Sequence, residues 1–167
     1  MTKIPKKQST RRRKVFEPFD YSPDDMPHIR FMVQVDIPAA IRLDRLCFGV
    51  DSWLEEDFKN VLRNQNVICL AATYNDHLLG YVIYELSKNR ITLIRLCVLT
   101  DHQRKKVGTR LMERLKEKLV LQGRKQLVMD VPDGHLSLQI FLKKLGFLAT
   151  DILKEDGHVH YRMCYTA

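Results

Sequence analysis

The chain predicts an α+β domain, a mixed sheet flanked by helices in three α/β/α layers, and three observations carry that expectation. Its apolar residues recur at helical spacing in some segments and at strand spacing in others. Capping residues, prolines and glycines punctuate those segments where helices would start and stop. Three strand-like runs between residues 67 and 99 are separated by turns too short for anything but antiparallel hairpins.

Taken in order, Phe31-Met32-Val33-Gln34-Val35 reads as a short strand. Asp36-Ile37-Pro38 then places an N-cap and a first-turn proline ahead of a helix through Ile41, Leu43, Leu46 and Cys47. Ser52 with Glu55 three residues on reads as a capping box, opening a second helix through Phe58, Val61 and Leu62 to about Asn64. A meander follows: Val67 to Tyr74, a turn at Asn75-Asp76-His77, Gly80 to Leu86, a turn at Lys88-Asn89-Arg90, and Ile91 to Leu99. Val107, Leu111, Leu115 and Leu119 mark an amphipathic helix ended by Gly123. Gln126 to Val131 is the next strand, Leu136 to Leu145 a helix closed by Gly146. Phe147 to Leu153 and His158 to Tyr165 form a hairpin around Asp156-Gly157. The order is β-α-α-β-β-β-α-β-α-β-β, about seven strands and four helices.

Composition bounds the rest. The 167 residues are 45% hydrophobic, and 28 Lys and Arg against 20 Asp and Glu give a formal charge of +8. A single domain of this length buries roughly 70% of its unfolded surface, enough for a core without staples. Residues 1–14 hold seven of the bases (Lys3, Lys6, Lys7, Arg11, Arg12, Arg13, Lys14) and no acid, leaving a nearly neutral remainder. Residues 1–29 therefore read as a basic extension and 30–167 as the folded domain. The basic residues 1–14 suit weak contact with a polyanion such as RNA or the ribosome. Cys47, Cys69, Cys97 and Cys164 stand singly among apolar residues, without a CxxC pair or zinc-finger spacing. They read as buried hydrophobes in a reduced compartment, and no metal site is expected. Met1 is followed by charge and the apolar runs are strand-sized, which predicts a cytoplasmic chain that neither enters nor spans a membrane.

Chemistry concentrates in the strand, turn and helix start running from Leu96 to Met112. A helix N-terminus exposes unpaired N–H groups and a partial positive charge, Gly108 permits close backbone approach, and Arg104, Lys105 and Lys106 add cations. Such a turn can cradle a phosphate, although a solvated basic turn looks the same. The run Gln103-Arg104-Lys105-Lys106-Val107-Gly108 resembles the pyrophosphate-binding loop of the GNAT N-acetyltransferases, Gln/Arg-x-x-Gly-x-Gly/Ala, in the family's position between a central strand and a long helix. Phe141-Leu142-Lys143-Lys144-Leu145-Gly146-Phe147 is similar to the family's closing aromatic-x-x-x-Leu-Gly-Phe segment. Within the family, residues 51–58 and Tyr84-Glu85-Leu86 resemble the RimI-type branch, which acetylates protein N-termini.

The resemblance implies acetyl-CoA as co-substrate and direct attack by a primary amine, most plausibly a protein or peptide N-terminus, in a ternary complex. It implies pantetheine contacts from Leu96, Cys97 and Val98, pyrophosphate contacts from Gln103, Arg104, Lys105, Lys106, Val107, Gly108 and Thr109, and cofactor contacts from His135 and Phe141. The RimI-type carboxylate base falls on Asp130, one methylene shorter; Glu85, mid-strand among Tyr81, Ile83 and Tyr84, lies either on the solvated face or in the acceptor groove. The family's Tyr acid falls on Leu142 and its Asn on His135, while Lys106 replaces the loop's first Gly. Tyr161, Tyr81, Tyr84 and His135 are the substitute proton donors in view. A catalytically impaired CoA-binding module and a small-amine acetyltransferase are the alternatives. Trp53 reads as a packing residue, and His158 and His160 as an exposed pair.

Overall fold

The computed structural model describes residues 24–99 and 106–167. The basic residues 1–14, and Gln103, Arg104 and Lys105 of the loop, lie outside them. Among the described residues the sheet has seven strands: β1 (His28–Phe31), β2 (Val67–Tyr74), β3 (His77–Leu86), β4 (Arg90–Val98), β5 (Gln126–Pro132), β6 (Leu148–Glu155) and β7 (His158–Thr166). Four α-helices accompany them: α1 (Ile37–Phe48), α2 (Glu55–Arg63), α3 (Val107–Leu121) and α4 (Leu136–Lys144). None of these helices is long and apolar enough to cross a membrane.

The spatial order is β1-β2-β3-β4-β5-β7-β6. Hairpins make most neighbours antiparallel. The β2–β3 turn carries Asn75 and Asp76 at φ 46° and 62°, and the β6–β7 turn carries Asp156 and Gly157 at φ 47° and 78°, the left-handed pair that matches strand twist. Only β4 and β5 run parallel, because α3 crosses between them. The C-terminal hairpin docks through β7 rather than β6, placing its second strand inside the sheet.

Each sheet face buries a separate core. On one, Leu111, Leu115 and Leu119 of α3 and Leu142 of α4 meet Val82, Tyr84, Ile91, Leu93, Leu127, Met129 and Val131. On the other, Ile37, Ala40 and Leu43 of α1 and Phe58 of α2 meet Cys69, Ala71, Tyr81, Ile83 and Cys97. These are the three layers the periodicity implies.

The element starts differ from expectation where a side chain found a better partner. The first strand begins at His28 and ends at Phe31, and Gln34–Asp36 form a 3-10 turn instead of extended chain. Asp36 accepts the Arg30 guanidinium at 2.7 and 2.8 Å and the Val33 N–H at 2.9 Å, so it locks this turn rather than capping α1. That guanidinium holds the Asp36 carboxyl below the usual carboxylate range. α2 begins three residues after Ser52, and Asp57 accepts the Leu54 N–H at 2.8 Å in place of the expected Ser52 box.

The cysteine expectation needs correction. Cys47 of α1 and Cys97 of β4 are joined as a disulfide, with Cα atoms 6.3 Å apart, inside the span a disulfide bridges. Each faces the α1 side of the sheet, and their separation of 50 residues gave no sequence signal. Cys69 is buried, which pushes its thiol up to about 12, and Cys164 is half-buried. Unreduced native protein should therefore show one thiol, Cys164, reacting promptly with iodoacetamide, and Cys69 only after unfolding. Cys47→Ser should cost about 2–4 kcal/mol in denaturant midpoint analysis, the usual worth of a long-loop disulfide.

Candidate active site

The site begins where two strands separate. β4 and β5 share only four paired positions, from Arg90↔Gln126 to Leu93↔Met129. Past that point β4 still pairs with β3 up to Val98↔Gly80, and β5 pairs with β7 up to Pro132↔His160. The divergence coincides with an extra residue in β4, Ile94, which has no counterpart between Ile83 and Tyr84. A bulge of this kind bends its strand and re-aims the residues after it. Leu96, Cys97 and Val98 thus lie on a stretch of β4 that has left the β5 ladder. A parallel strand edge there offers main-chain donors and acceptors to an extended ligand, as a pantetheine arm requires.

α3 starts at the end of that stretch. Val107 and Gly108 are buried and Thr109 is half-buried, and the first-turn N–H groups of a helix have no acceptor within it. Lys106 precedes the helix at φ 65° and ψ 9°, the left-handed conformation that costs a non-glycine residue roughly 1–2 kcal/mol. It occupies the geometry that the expected glycine would take and is exposed. Phe141 of α4 lies over Gly108: a Cβ added there would stand 3.2 Å from the Phe141 Cζ and 3.5 Å from a Val98 methyl. Gly108 thus admits both the aromatic ring and the strand end. Gly80 is tighter, since its added Cβ would come within 2.8 Å of the Cys97 carbonyl oxygen.

Asp130 is the first β5 residue past the last β4–β5 pair. Its neighbours Met129 and Val131 point into the α3/α4 core, so by strand alternation its carboxylate faces the other side. There it forms a two-pronged ion pair with Arg162 of β7, Nε and Nη2 donating at 2.8 and 2.9 Å. Asp130 raises the Arg162 pKa through these bonds. A carboxylate has about four acceptor positions, so two remain for a water or an ammonium. The sequence gave no reason to pair the two residues, because the β5–β7 contact arises only from the docked hairpin.

The other candidates separate. Tyr161 sits opposite Val131 and packs against the α3/α4 core, on the face away from Asp130. Glu85 is exposed and pairs with Val67 and Thr92, before the bulge. Two strands and two residues divide it from Asp130, roughly 10 Å across the sheet alone. His135 is exposed at the start of α4, where the Gln139 amide donates to the Pro132 and Asp133 carbonyls, both at 3.1 Å, and holds the turn. Leu142 is wholly buried. Tyr81 is buried and its hydroxyl donates to Asp44, while the Tyr84 hydroxyl is buried with no partner. Burial pushes both phenols up, reinforced at Tyr81 by Asp44. Neither has access to solvent.

Sequence reasoning missed a third cluster. Asp44 of α1 is fully buried and accepts from Arg95 of β4 at 2.6 and 2.9 Å, from the Trp53 N–H at 2.5 Å and from the Tyr81 hydroxyl. An aspartate inside the apolar face of a helix and an arginine inside an apolar strand were the available signal. Trp53 packs edge-on against Phe58 at 5.5 Å between centroids, as a packing residue should.

The chain resembles known proteins in both sequence and shape. The acetyltransferase (GNAT) family pattern matches residues 37–147. The chain is 25% identical over 122 residues to the [ribosomal protein bS18]-alanine N-acetyltransferase of Salmonella typhimurium, covering 73% of this chain and 81% of that protein. The ribosomal-protein-S18-alanine N-acetyltransferase from Escherichia coli superposes with a TM-score of 0.74 at 22% identity, over 84% of this chain and 94% of the other. An aminoglycoside 6'-N-acetyltransferase complexed with coenzyme A does so with a TM-score of 0.72 at 17% identity, over 83% and 96%.

Two substitutions test the geometry. Gly80→Ala should lower stability by about 1–3 kcal/mol and displace the Cys97 carbonyl, weakening acetyl-CoA binding in calorimetry at temperatures where the protein stays folded. Tyr84→Phe removes an unpaired buried hydroxyl, so the melting temperature should hold or rise by a few degrees with acetyl transfer unchanged.

Proposed function

The chain belongs to the GNAT acetyltransferase family and is an acetyl-CoA-dependent N-acetyltransferase, and on that premise we propose that its acceptor is a protein or peptide N-terminus. The observation that carries this reading is the parting of β4 and β5 with Asp130 at its root. The start of α3 lies on one side of the sheet and a solvent-accessible carboxylate on the other.

Acetyl-CoA, when bound, supplies the thioester carbonyl that the amine attacks. The main chain of Leu96, Cys97 and Val98 would orient the pantetheine arm. The N–H groups of Val107, Gly108 and Thr109, with the Lys106 ammonium, would neutralise the pyrophosphate. Gln103, Arg104 and Lys105 would extend that loop, and Phe141 would close it against Gly108. Holding amine and carbonyl together is the main catalytic contribution of such a scaffold. Asp130 would accept the ammonium proton through a water on its unoccupied acceptor positions, with Arg162 fixing the carboxylate plane. Tyr161, on the α3/α4 face, would serve the departing sulfur, and His135 would border the cofactor side of the α4 start. Glu85 lies too far from Asp130 to share a proton with it, and its place is at the rim of the acceptor surface.

An α-amine, with a pKa of about 7.7–8, is partly neutral at physiological pH, while a lysine amine near 10.4 needs about 2.5 units more help. A single carboxylate fits the easier acceptor. The β6–β7 turn at Asp156-Gly157 is only two residues long and adds no loop that could fold over the neighbouring sheet surface, as an extended peptide needs.

Thiol release from acetyl-CoA should be measured against N-terminal peptides, amino sugars and polyamines. Turnover is expected with the peptides, and Asp130→Asn should lower kcat about 100-fold with a smaller change in acetyl-CoA affinity. Turnover confined to amino sugars or polyamines would assign a small-amine acceptor. Acetyl-CoA binding without thiol release would refute the enzyme reading.

A further inference from the structure

Building on the acceptor assignment above, we infer that Arg95 is a positioning residue. It bolts residues 49–54, the connection between α1 and α2, to β4 as the wall along which the acceptor amine approaches.

Arg95 is the first residue after the bulged Ile94, on the stretch of β4 that has left β5, and it stands next to Leu96. Its guanidinium is nearly enclosed, with the side chain 12% exposed, and both Nε and Nη2 are engaged. Nε and Nη2 bind the buried Asp44 carboxylate at 2.6 and 2.9 Å. Nη2 also donates to the Asp51 carbonyl at 2.8 Å. The guanidinium plane lies 3.7 Å from the Phe48 ring centroid and 4.9 Å from that of Trp53. Asp44 in turn accepts the Trp53 N–H at 2.5 Å. The backbone at residues 51 and 53 is thus hydrogen-bonded, directly or through one carboxylate, to a side chain of the strand proposed to carry the thioester.

A buried ion pair is an expensive way to hold a helix on a sheet, since desolvating two charges costs several kcal/mol and apolar residues of similar volume often do as well. Apolar contacts, however, do not fix the direction of a main chain. The guanidinium fork does: its five donors have a set geometry, and three hydrogen bonds to two separate groups, the Asp44 carboxylate and the Asp51 carbonyl, engage it. A 3-10 turn at Gly49–Asp51, closed by the Ser52 N–H on the Gly49 carbonyl at 3.2 Å, ties the connection to itself and not to β4. Gly49 is left-handed at φ 57° with open space around its Cα, and Val50 is fully exposed. The Asp130 carboxylate faces away from the α3/α4 core, and Arg95, on the neighbouring strand past the last β4–β5 pair, meets Asp44 of α1 on that same side. The connection it holds therefore stands on the sheet face from which, on this reading, the amine reaches the carbonyl.

Arg95→Lys keeps the charge and loses the fork, and Asp44→Asn keeps the shape and loses the charge. Steady-state kinetics of the full chain with acetyl-CoA and its best peptide acceptor should show acceptor KM raised tenfold or more for Arg95→Lys. The KM for acetyl-CoA should stay within twofold and kcat within threefold. Trp53, the single tryptophan, should shift its emission to the red in a variant whose far-ultraviolet circular dichroism is unchanged. Should Arg95→Lys not fold, the same split is required of Asp44→Asn. A purely structural role would lower the melting temperature and leave the ratio of the two KM values unchanged, and that result overturns the inference. Wild-type protein that acetylates no peptide refutes the acceptor reading and this inference with it. Wild-type turnover with an unchanged KM ratio refutes only the inference.

Discussion

The candidate site of this chain depends on the failure of two parallel strands to stay together. β4 and β5 are neighbours for four residue pairs and then diverge, each held by its antiparallel partner on the far side, β3 or β7. Main-chain groups are costly to leave unpaired in an interior, so a gap within a sheet persists only where something polar can fill it. The bulge at Ile94 starts the divergence, and the tight Gly80 contact on the Cys97 carbonyl holds β4 against β3 while it leaves β5. The helix that must cross between two parallel strands is thereby delivered, N-terminus first, to the end of the gap.

Two arginine–aspartate pairs flank this opening and differ in physical character. Asp44–Arg95 is buried, and removing either partner would strand a charge in the core, so it contributes fixed geometry at a cost in desolvation. Asp130–Arg162 is about one-third exposed on both sides. Pairs of that kind contribute little stability, about 0–1 kcal/mol, and exchange partners with water readily. A rigid pair suits a wall and an exchangeable one suits a proton acceptor. The disulfide between Cys47 and Cys97 reinforces the first, tying the last turn of α1 to β4 two residues beyond Arg95.

Much of the architecture was legible because it rests on local periodicity. α3 and the three-stranded meander of β2, β3 and β4 stand where four-residue spacing and alternation put them, with β3 starting at His77 rather than Gly80, and Asp156-Gly157 forms the expected turn. Besides the first strand and the cysteines, the errors were at capping sites. Ser52 lost its place to Asp57, and Asp36 was taken by Arg30, since a cap hydrogen bond worth about 1 kcal/mol yields to any better-placed carboxylate or cation. Of the candidate site, the glycine at 108, the cation in a glycine's conformation at 106 and the carboxylate at 130 are sequence-local features. The partners of Asp130 and of Cys97, and the whole Asp44 cluster, were not.

The sequence by itself determined the type and order of the elements and their amphipathic faces, because those depend on spacing within a dozen residues. Tertiary structure alone decided which strand β7 would join, hence that Arg162 would hold Asp130. It also decided where β4 and β5 part, and that Arg95, Asp44 and the main chain at 51 and 53 would converge. Such contacts link positions tens of residues apart and form only when both sheet faces are packed. No periodicity within the chain records them.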